Sequence, residues 1–145
     1  MRVDVGEMVA CIRLLYKGYF YLDTGEIITK DNCTKEEWEE MSGSNKYIPI
    51  PHISRLERNL MGRSFLREYV LKEYADDEEV VDLVKKFLQE KRVNMRNYEF
   101  YYWHLVMDEL DISREERDYY YPKLEAMAVQ WCKDHGLDYT LNRLF

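Results

Sequence analysis

The side chains with the most reactive chemistry in this 145-residue chain are three cysteines, Cys11, Cys33 and Cys132, and three histidines, His52, His104 and His135. Cys132 and His135 stand three positions apart, a spacing that lets two side chains on one helix reach a shared ion. A structural zinc site takes about four such ligands, and no second pair stands near them in the sequence. The simpler reading makes Cys132 a core residue and His135 a cation at the negative end of a helix dipole. It predicts no metal and no cofactor. An odd cysteine count without C-x-x-C also argues against a secreted disulfide framework, so all the thiols are expected to be reduced.

Nucleophilic catalysis needs a Ser or Cys with a base and an orienting group converging in space. None of Ser42, Ser44, Ser54, Ser64 and Ser113 lies in a G-x-S-x-G elbow. There is no G-x-G-x-x-G and no G-x-x-x-x-G-K-[ST], which excludes the usual nucleotide loops. The carboxylates of Glu36, Glu37, Glu39 and Glu40, and of Asp76 to Glu79, read as solvated helix starts. Catalytic acids are found where burial shifts their pKa. The expectation is therefore a protein that is not an enzyme, with no catalytic residues. An enzyme using Cys132, His135 or buried carboxylates stands as an alternative.

With 28 acidic against 21 basic residues, the formal charge is −7. Direct nucleic-acid binding needs a concentrated basic surface. The densest basic stretch, Lys85-Lys86 with Lys91-Arg92 and Arg96, is interrupted by Glu90 and reads as the wet end of a helix. Hydrophobic residues at 46% make the chain too apolar for a disordered one, and no run is long enough for a membrane span. Met1 to Glu7 carry acid early and lack the apolar stretch of a signal peptide. A single cytoplasmic domain over residues 1–145, with no membrane partner, is expected.

The elements that must position any site follow from periodicity and punctuation. Val5, Met8, Val9, Ile12 and Leu15 recur at the helical period, with Gly18 as the predicted stop. Tyr19–Leu22 and Glu26–Thr29 flank Asp23-Thr24-Gly25 and predict a hairpin. Tyr47–Ile50, bracketed by Pro49 and Pro51, predicts an extended edge strand. Capping boxes at Thr34/Glu37, Ser54/Glu57 and Ser113/Glu116 predict three helix starts. The first opens a short helix around Lys35–Met41. The second runs to about Tyr74, with Leu56, Leu60, Leu66, Tyr69 and Val70 on or near one side. Val80, Val81, Val84, Phe87 and Leu88 form the apolar face of the next helix, and another covers about Asn94 to Leu110. The last box opens a helix from Arg114 to about His135, ended by Gly136, with Tyr121, Leu124, Ala128, Trp131 and His135 on one stripe and a kink or later start at Pro122. The fold class is thus α+β, mostly helical, with a small antiparallel hairpin or three-stranded sheet near the N-terminus.

The hairpin Tyr21-Leu22-Asp23-Thr24-Gly25-Glu26-Ile27, the strand Tyr47-Ile48-Pro49-Ile50-Pro51 with Arg55 and Glu57 after it, and the terminal Ala128-Val129-Gln130-Trp131-Cys132-Lys133-Asp134-His135-Gly136-Leu137 come in a familiar order. The chain resembles the bacterial uncharacterised family UPF0158 in these three motifs. It departs in the middle, where Arg92 to Phe100 replaces a Gly- and aromatic-rich stretch. The resemblance implies a fold and no function.

Thirteen tyrosines are the unusual feature of the composition. Tyr98, Phe100, Tyr101, Tyr102 and Trp103 form one cluster, and Tyr119, Tyr120 and Tyr121 another. A helix turns about 100° per residue, so adjacent tyrosines cannot all face one core. Tyr and Trp dominate interface hot spots. The leading expectation is a protein-interaction module using Tyr101, Tyr102, Tyr119 and Tyr120, with Asp108, Glu109 and Asp111 as an acidic rim. Burial at the core edge is the competing reading of these tyrosines. A different expectation is an inhibitor that covers a basic nucleic-acid-binding protein, its carboxylates standing in for phosphates. Self-association into a homodimer through the same tyrosines is left open.

Overall fold

A computed structural model of the chain describes residues 2–89 and 95–143, and of residues 95–98 the backbone alone. The fold class is α+β, mostly helical, with a three-stranded antiparallel sheet near the N-terminus and a small parallel pair of strands. Contacts group the chain into two compact units, Met1–Ser54 with Tyr121–Phe145, and Arg55–Tyr120. The expected helix start at Asn94 and the basic residues Lys91 and Arg92 lie outside the described residues.

In the first unit, β1 (Arg2–Asp4) pairs in parallel with β5 (Asp138–Thr140), Val3 opposite Tyr139. Asp4 also caps α1 (Val5–Arg13), its carboxylate accepting from the Glu7 backbone N–H at 3.2 Å. The helix buries Val5, Met8, Val9 and Ile12 of the predicted stripe, while Leu15 lies beyond its end and is half-buried. Its end differs from the expectation at Gly18. Leu15 takes a left-handed φ of 60°, and its N–H and that of Tyr16 return to the carbonyls of Ile12 and Cys11, a Schellman closure. Gly18 instead opens β2 (Gly18–Tyr21), where a Cβ would stand 2.7 Å from the Ile28 carbonyl oxygen.

The strand β2 is central in the order β3-β2-β4, with β3 (Ile27–Thr29) and β4 (Tyr47–Pro49) antiparallel on either side. Pro49 is tolerated because β4 is an edge strand. Alternation along β2 separates Phe20, buried against Trp131 with centroids 5.7 Å apart, from Tyr19 and Tyr21. Tyr19 packs on Trp38 at 4.6 Å and Tyr21 stacks on Tyr47 at 4.5 Å. The Thr34/Glu37 capping box forms as predicted and opens α2 (Lys35–Ser42). The part of α7 (Ser113–Asp134) in this unit buries Tyr121, Leu124, Ala128, Trp131 and Cys132, and the helix runs through Pro122. Trp131 Nε1 donates to the Pro49 carbonyl at 2.9 Å. Gly136, at φ 64°, closes the helix, its N–H and that of Leu137 bonding to the carbonyls of Lys133 and Cys132.

The second unit runs α3 (Arg55–Phe65), a π-helical stretch Leu66–Val70, α4 (Leu71–Glu73), α5 (Glu78–Gln89), α6 (Met95–Trp103), a second π-helical stretch His104–Glu109, and the start of α7. On α3 the buried residues are Arg58, Gly62 and Phe65, while Leu56 and Leu60 are exposed, which corrects the predicted apolar side. At about 100° per residue Leu56 lies opposite Phe65 and Leu60 roughly 140° from it, so one helical face cannot hold all of them. α5 buries Val84 and Phe87 as expected.

Two glycines test the close approach in the sheet. Gly18→Ala is expected to lower stability by about 1–3 kcal/mol, because a backbone oxygen has to move. A Cβ at Gly43 would meet only atoms 3.8 Å or more away, so Gly43→Ala is expected to be neutral or to stabilise by about 0.5 kcal/mol. Urea midpoints of the two variants check the difference in sign.

Candidate functional site

The second unit is organised around a buried carboxylate. Glu116 of α7 is fully buried and Arg58 of α3 is 8% exposed. The Arg58 Nη2 donates to both Glu116 oxygens, at 3.2 and 2.9 Å. Tyr102 of α6 donates its hydroxyl to Glu116 Oε2 at 2.7 Å and lies 3.1 Å from the Tyr120 hydroxyl. The guanidinium sits 4.4 Å from the Tyr120 ring centroid and 5.2 Å from that of Trp103. Burial alone would lower the Arg58 pKa, but Glu116, with the Tyr120 and Tyr102 hydroxyls, more than reverses this and holds it above the ordinary value. Burial first, and then the Glu116 charge, pushes Tyr102 and Tyr120 well above the usual phenol range. A Cβ at Gly62 would stand 3.0 Å from the Tyr102 ring, so any larger residue there has to push that ring back by a few tenths of an ångström. Every polar atom of Glu116 is used in holding helices together. Its predicted role in a capping box with Ser113 is therefore corrected: the helix already includes Ser113, and the carboxylate is committed to Arg58 and Tyr102.

The surface of the same unit carries a groove. Leu83, Lys86, Phe87, Tyr101, His104, Leu105 and Glu109 line a hollow of about 470 Å³ between α5, α6 and the π-helical stretch that follows. Phe87 and Leu105 form a buried floor, while Leu83 at 45% and Tyr101 at 58% exposure form an apolar rim. A hollow of this size is ample for one large side chain. Phe100, beside Tyr101 with centroids 5.8 Å apart, is 67% exposed. The π geometry brings residues five apart together: His104 Nε2 lies 3.2 Å from Glu109 Oε1, while its Nδ1 lies 2.9 Å from Asp108 Oδ2. In a regular α-helix His104 and Glu109 would diverge by about 140°. A second hollow of about 330 Å³ shares Leu83 and Glu109 with the first. A third, of about 430 Å³, shares Tyr74, Asp77 and Glu79 with the second and is lined otherwise by Glu73, Asp76 and Glu78.

Of the predicted interaction residues, Tyr101 and Glu109 line this groove and Asp108 flanks it through His104. Tyr102 and Tyr120 are corrected: at 5% and 3% exposure they belong to the core network, where their hydroxyls find partners that a surface position would not supply. Tyr119 is half-buried, donates to Glu68 and packs on Phe65 at 5.4 Å, so it is not part of the groove. Burial, then the Glu68 hydrogen bond, pushes its phenol up to about 12. Asp111 is exposed in a left-handed turn, φ 49°, where the Ile112 N–H returns to the Val106 carbonyl and ends the π-helical stretch. Leu83, Lys86 and His104 were not among the residues expected to form the interaction surface. The signal available for Leu83 was its i, i+4 spacing to Phe87, which widens the apolar stripe of α5 beyond what a core contact needs.

Cys132 is fully buried, and burial pushes its thiol up. His135 lies at the surface with Nδ1 donating to the Trp131 carbonyl at 2.8 Å. Among the described residues no group of three or more His, Cys, Asp and Glu is placed to hold a metal ion, and no helix is long and apolar enough to cross a membrane. Comparison of the chain with protein-family models, with curated proteins and with solved structures finds no match.

Two predictions follow from the network. Glu116→Ala leaves the Arg58 charge buried and unpaired, and is expected to cost about 3–5 kcal/mol. The double variant Arg58→Met with Glu116→Leu should lose less than Glu116→Ala, as read by chemical denaturation. For pH, phenols raised in the folded state bind protons more tightly there than in the unfolded chain. Their contribution is complete below the unfolded value of about 10 and is lost as pH rises through the folded one. For Tyr119 that window is from about 10 to about 12. Denaturation midpoints should therefore fall steeply above about pH 10, with the last tyrosines ionising only as the chain unfolds.

Proposed function

We propose that this chain is a non-enzymatic protein-interaction module whose docking surface is the groove between α5, α6 and the His104–Glu109 stretch. The supporting observation is a hollow with the buried floor of Phe87 and Leu105 and an exposed rim of Leu83 and Tyr101. Exposed aromatic and aliphatic side chains around a preformed hollow are what protein hot spots use. The carboxylates of Asp108 and Glu109 supply the polar edge expected of such a surface. The proposal revises the tyrosine set to Tyr101, with Leu83 and Phe100 taking the places of Tyr102, Tyr119 and Tyr120. Membership of UPF0158 is proposed alongside it, on the hairpin, edge-strand and terminal-helix motifs, and adds no activity.

The acidic hollow of Glu73 to Glu79 favours a second reading, an inhibitor of a basic nucleic-acid-binding protein. Carboxylates in a row offer such a target what phosphates offer it. That reading puts the affinity in charge, the first puts it in the apolar hollow, and salt separates the two.

The experiment is a comparison of the parent chain with Tyr101→Ala and Leu83→Ser as tagged baits, with nuclease present. The expected result is one stoichiometric partner held by the parent, retained at high salt, and lost by both variants while their circular dichroism is unchanged. An identical set of captured proteins from all three baits would refute the groove as the docking surface. A partner released from all three by salt alone would favour the inhibitor.

A further inference from the structure

Glu79, Leu83 and Phe87 follow each other at the i, i+4 spacing along one stripe of α5, which leads from the acidic hollows past the Leu83 rim to the Phe87 floor of the groove. Between Glu79 and Phe87 the helix rises about 12 Å, so the acidic end and the apolar end of the groove are separated by that length. Among the described residues, the carboxylates of Glu73, Asp76, Asp77, Glu78, Glu79 and Glu109 line these hollows, against the single lysine Lys86. Asp77 also accepts from the Val80 N–H at 3.2 Å and so serves the start of α5, which leaves its neighbours Asp76, Glu78 and Glu79 as the acidic face. A second copy of this chain would bring a formal charge of −7 against that face. Like charges juxtaposed at an interface select against such a partner.

We infer that the occupant of the groove is a cationic amphipathic segment of another protein. A bulky apolar side chain enters the Phe87–Leu105 hollow, and one or two Lys or Arg residues lie about 12 Å further along, over Asp76 to Glu79. On a partner helix that distance is about two turns, or seven to eight residues, between the anchor and the cations. The apolar anchor supplies affinity by leaving water, and the carboxylates set orientation and partner choice. This inference rests on the interaction-module reading and adds to it the chemistry and spacing of the partner.

Three fluorescent helical peptides of about fourteen residues test it by anisotropy against the full chain, the length covering an anchor and cations about two turns apart. One carries a Phe anchor with two Arg seven and eight positions away, a second has Glu in place of the Arg residues, and a third has Ala in place of Phe. The first is expected to bind at least about tenfold more tightly than either other, with the advantage over the Glu peptide shrinking as salt rises. The double variant Asp76→Lys with Glu79→Lys, whose fold is checked by its thermal transition, should reverse the preference between the first two. Equal binding of both Phe peptides at every salt concentration would overturn the cationic partner and leave the docking groove standing. Equal binding of the first and third would show charge attraction without the groove, and would overturn the inference. Failure of every Phe peptide to bind would overturn both the inference and the groove. Concentration-dependent dimerisation abolished by Tyr101→Ala, seen by sedimentation, would replace the proposed occupant with a second copy of the chain.

Discussion

The Glu116 carboxylate is buried without access to solvent, and a buried anion is tolerated only when its charge and its lone pairs are both matched. Arg58 supplies the charge and Tyr102 a second donor, which ties α3, α6 and α7 to one relative rotation each. The consequences reach the surface. With Tyr102 turned inward, the neighbouring Tyr101 must point about 100° away, and Phe100 about 200° away. Both are exposed, and Tyr101 becomes the rim of the groove. The polar centre of this unit thus determines which aromatic side chains the protein presents outside. Apolar residues of similar volume could fill the same space, but they would not specify the rotation of α6 as a directional hydrogen bond does.

The two π-helical stretches extend this logic. Each follows a regular helix without a break, Leu66–Val70 after α3 and His104–Glu109 after α6. Widening the turn changes which side chains share a face, so Leu66 and Val70 join Phe65 in the core while His104 meets Glu109 at the surface. Exposed polar contacts of this kind add little stability, so the value of the second stretch lies in placement. It aligns His104, Leu105 and Glu109 along one side of the hollow. Asp111 then ends it in a left-handed turn that a short polar side chain tolerates better than a branched one.

The first unit is held by different means. Its sheet is short, and the strands owe their packing to rings: Tyr19 on Trp38, Tyr21 on Tyr47, Phe20 against Trp131. Trp131 serves twice, packing its ring in the core and giving its indole N–H to the Pro49 carbonyl of the edge strand. Among the described residues, tyrosines serve in sheet packing (Tyr19, Tyr21 and Tyr47), in the buried network (Tyr102 and Tyr120) and at the exposed position Tyr101.

Local chemistry was legible in the residues themselves. The Thr34/Glu37 box, the Asp23-Thr24-Gly25 turn, the proline-marked edge strand and Gly136 at the end of α7 each arise from neighbours within a few positions, and each forms where the pattern puts it. The stripes of α1 and of the later part of α7 were equally legible up to their last members, Leu15 and His135, which lie past the helix ends, because a helical period repeats along the chain. Gly18 was not, since its reason is a strand ten residues on, whose carbonyl leaves no room for a Cβ. Nor were the π-helical stretches, which have no period of their own in so few residues. The sequence determined by itself that the chain is α+β, acidic and dense in tyrosine, with at least one tyrosine of each cluster outside the core. Tertiary structure alone decided which one, because the choice depends on Arg58 and Glu116, 58 positions apart, meeting in the same buried space.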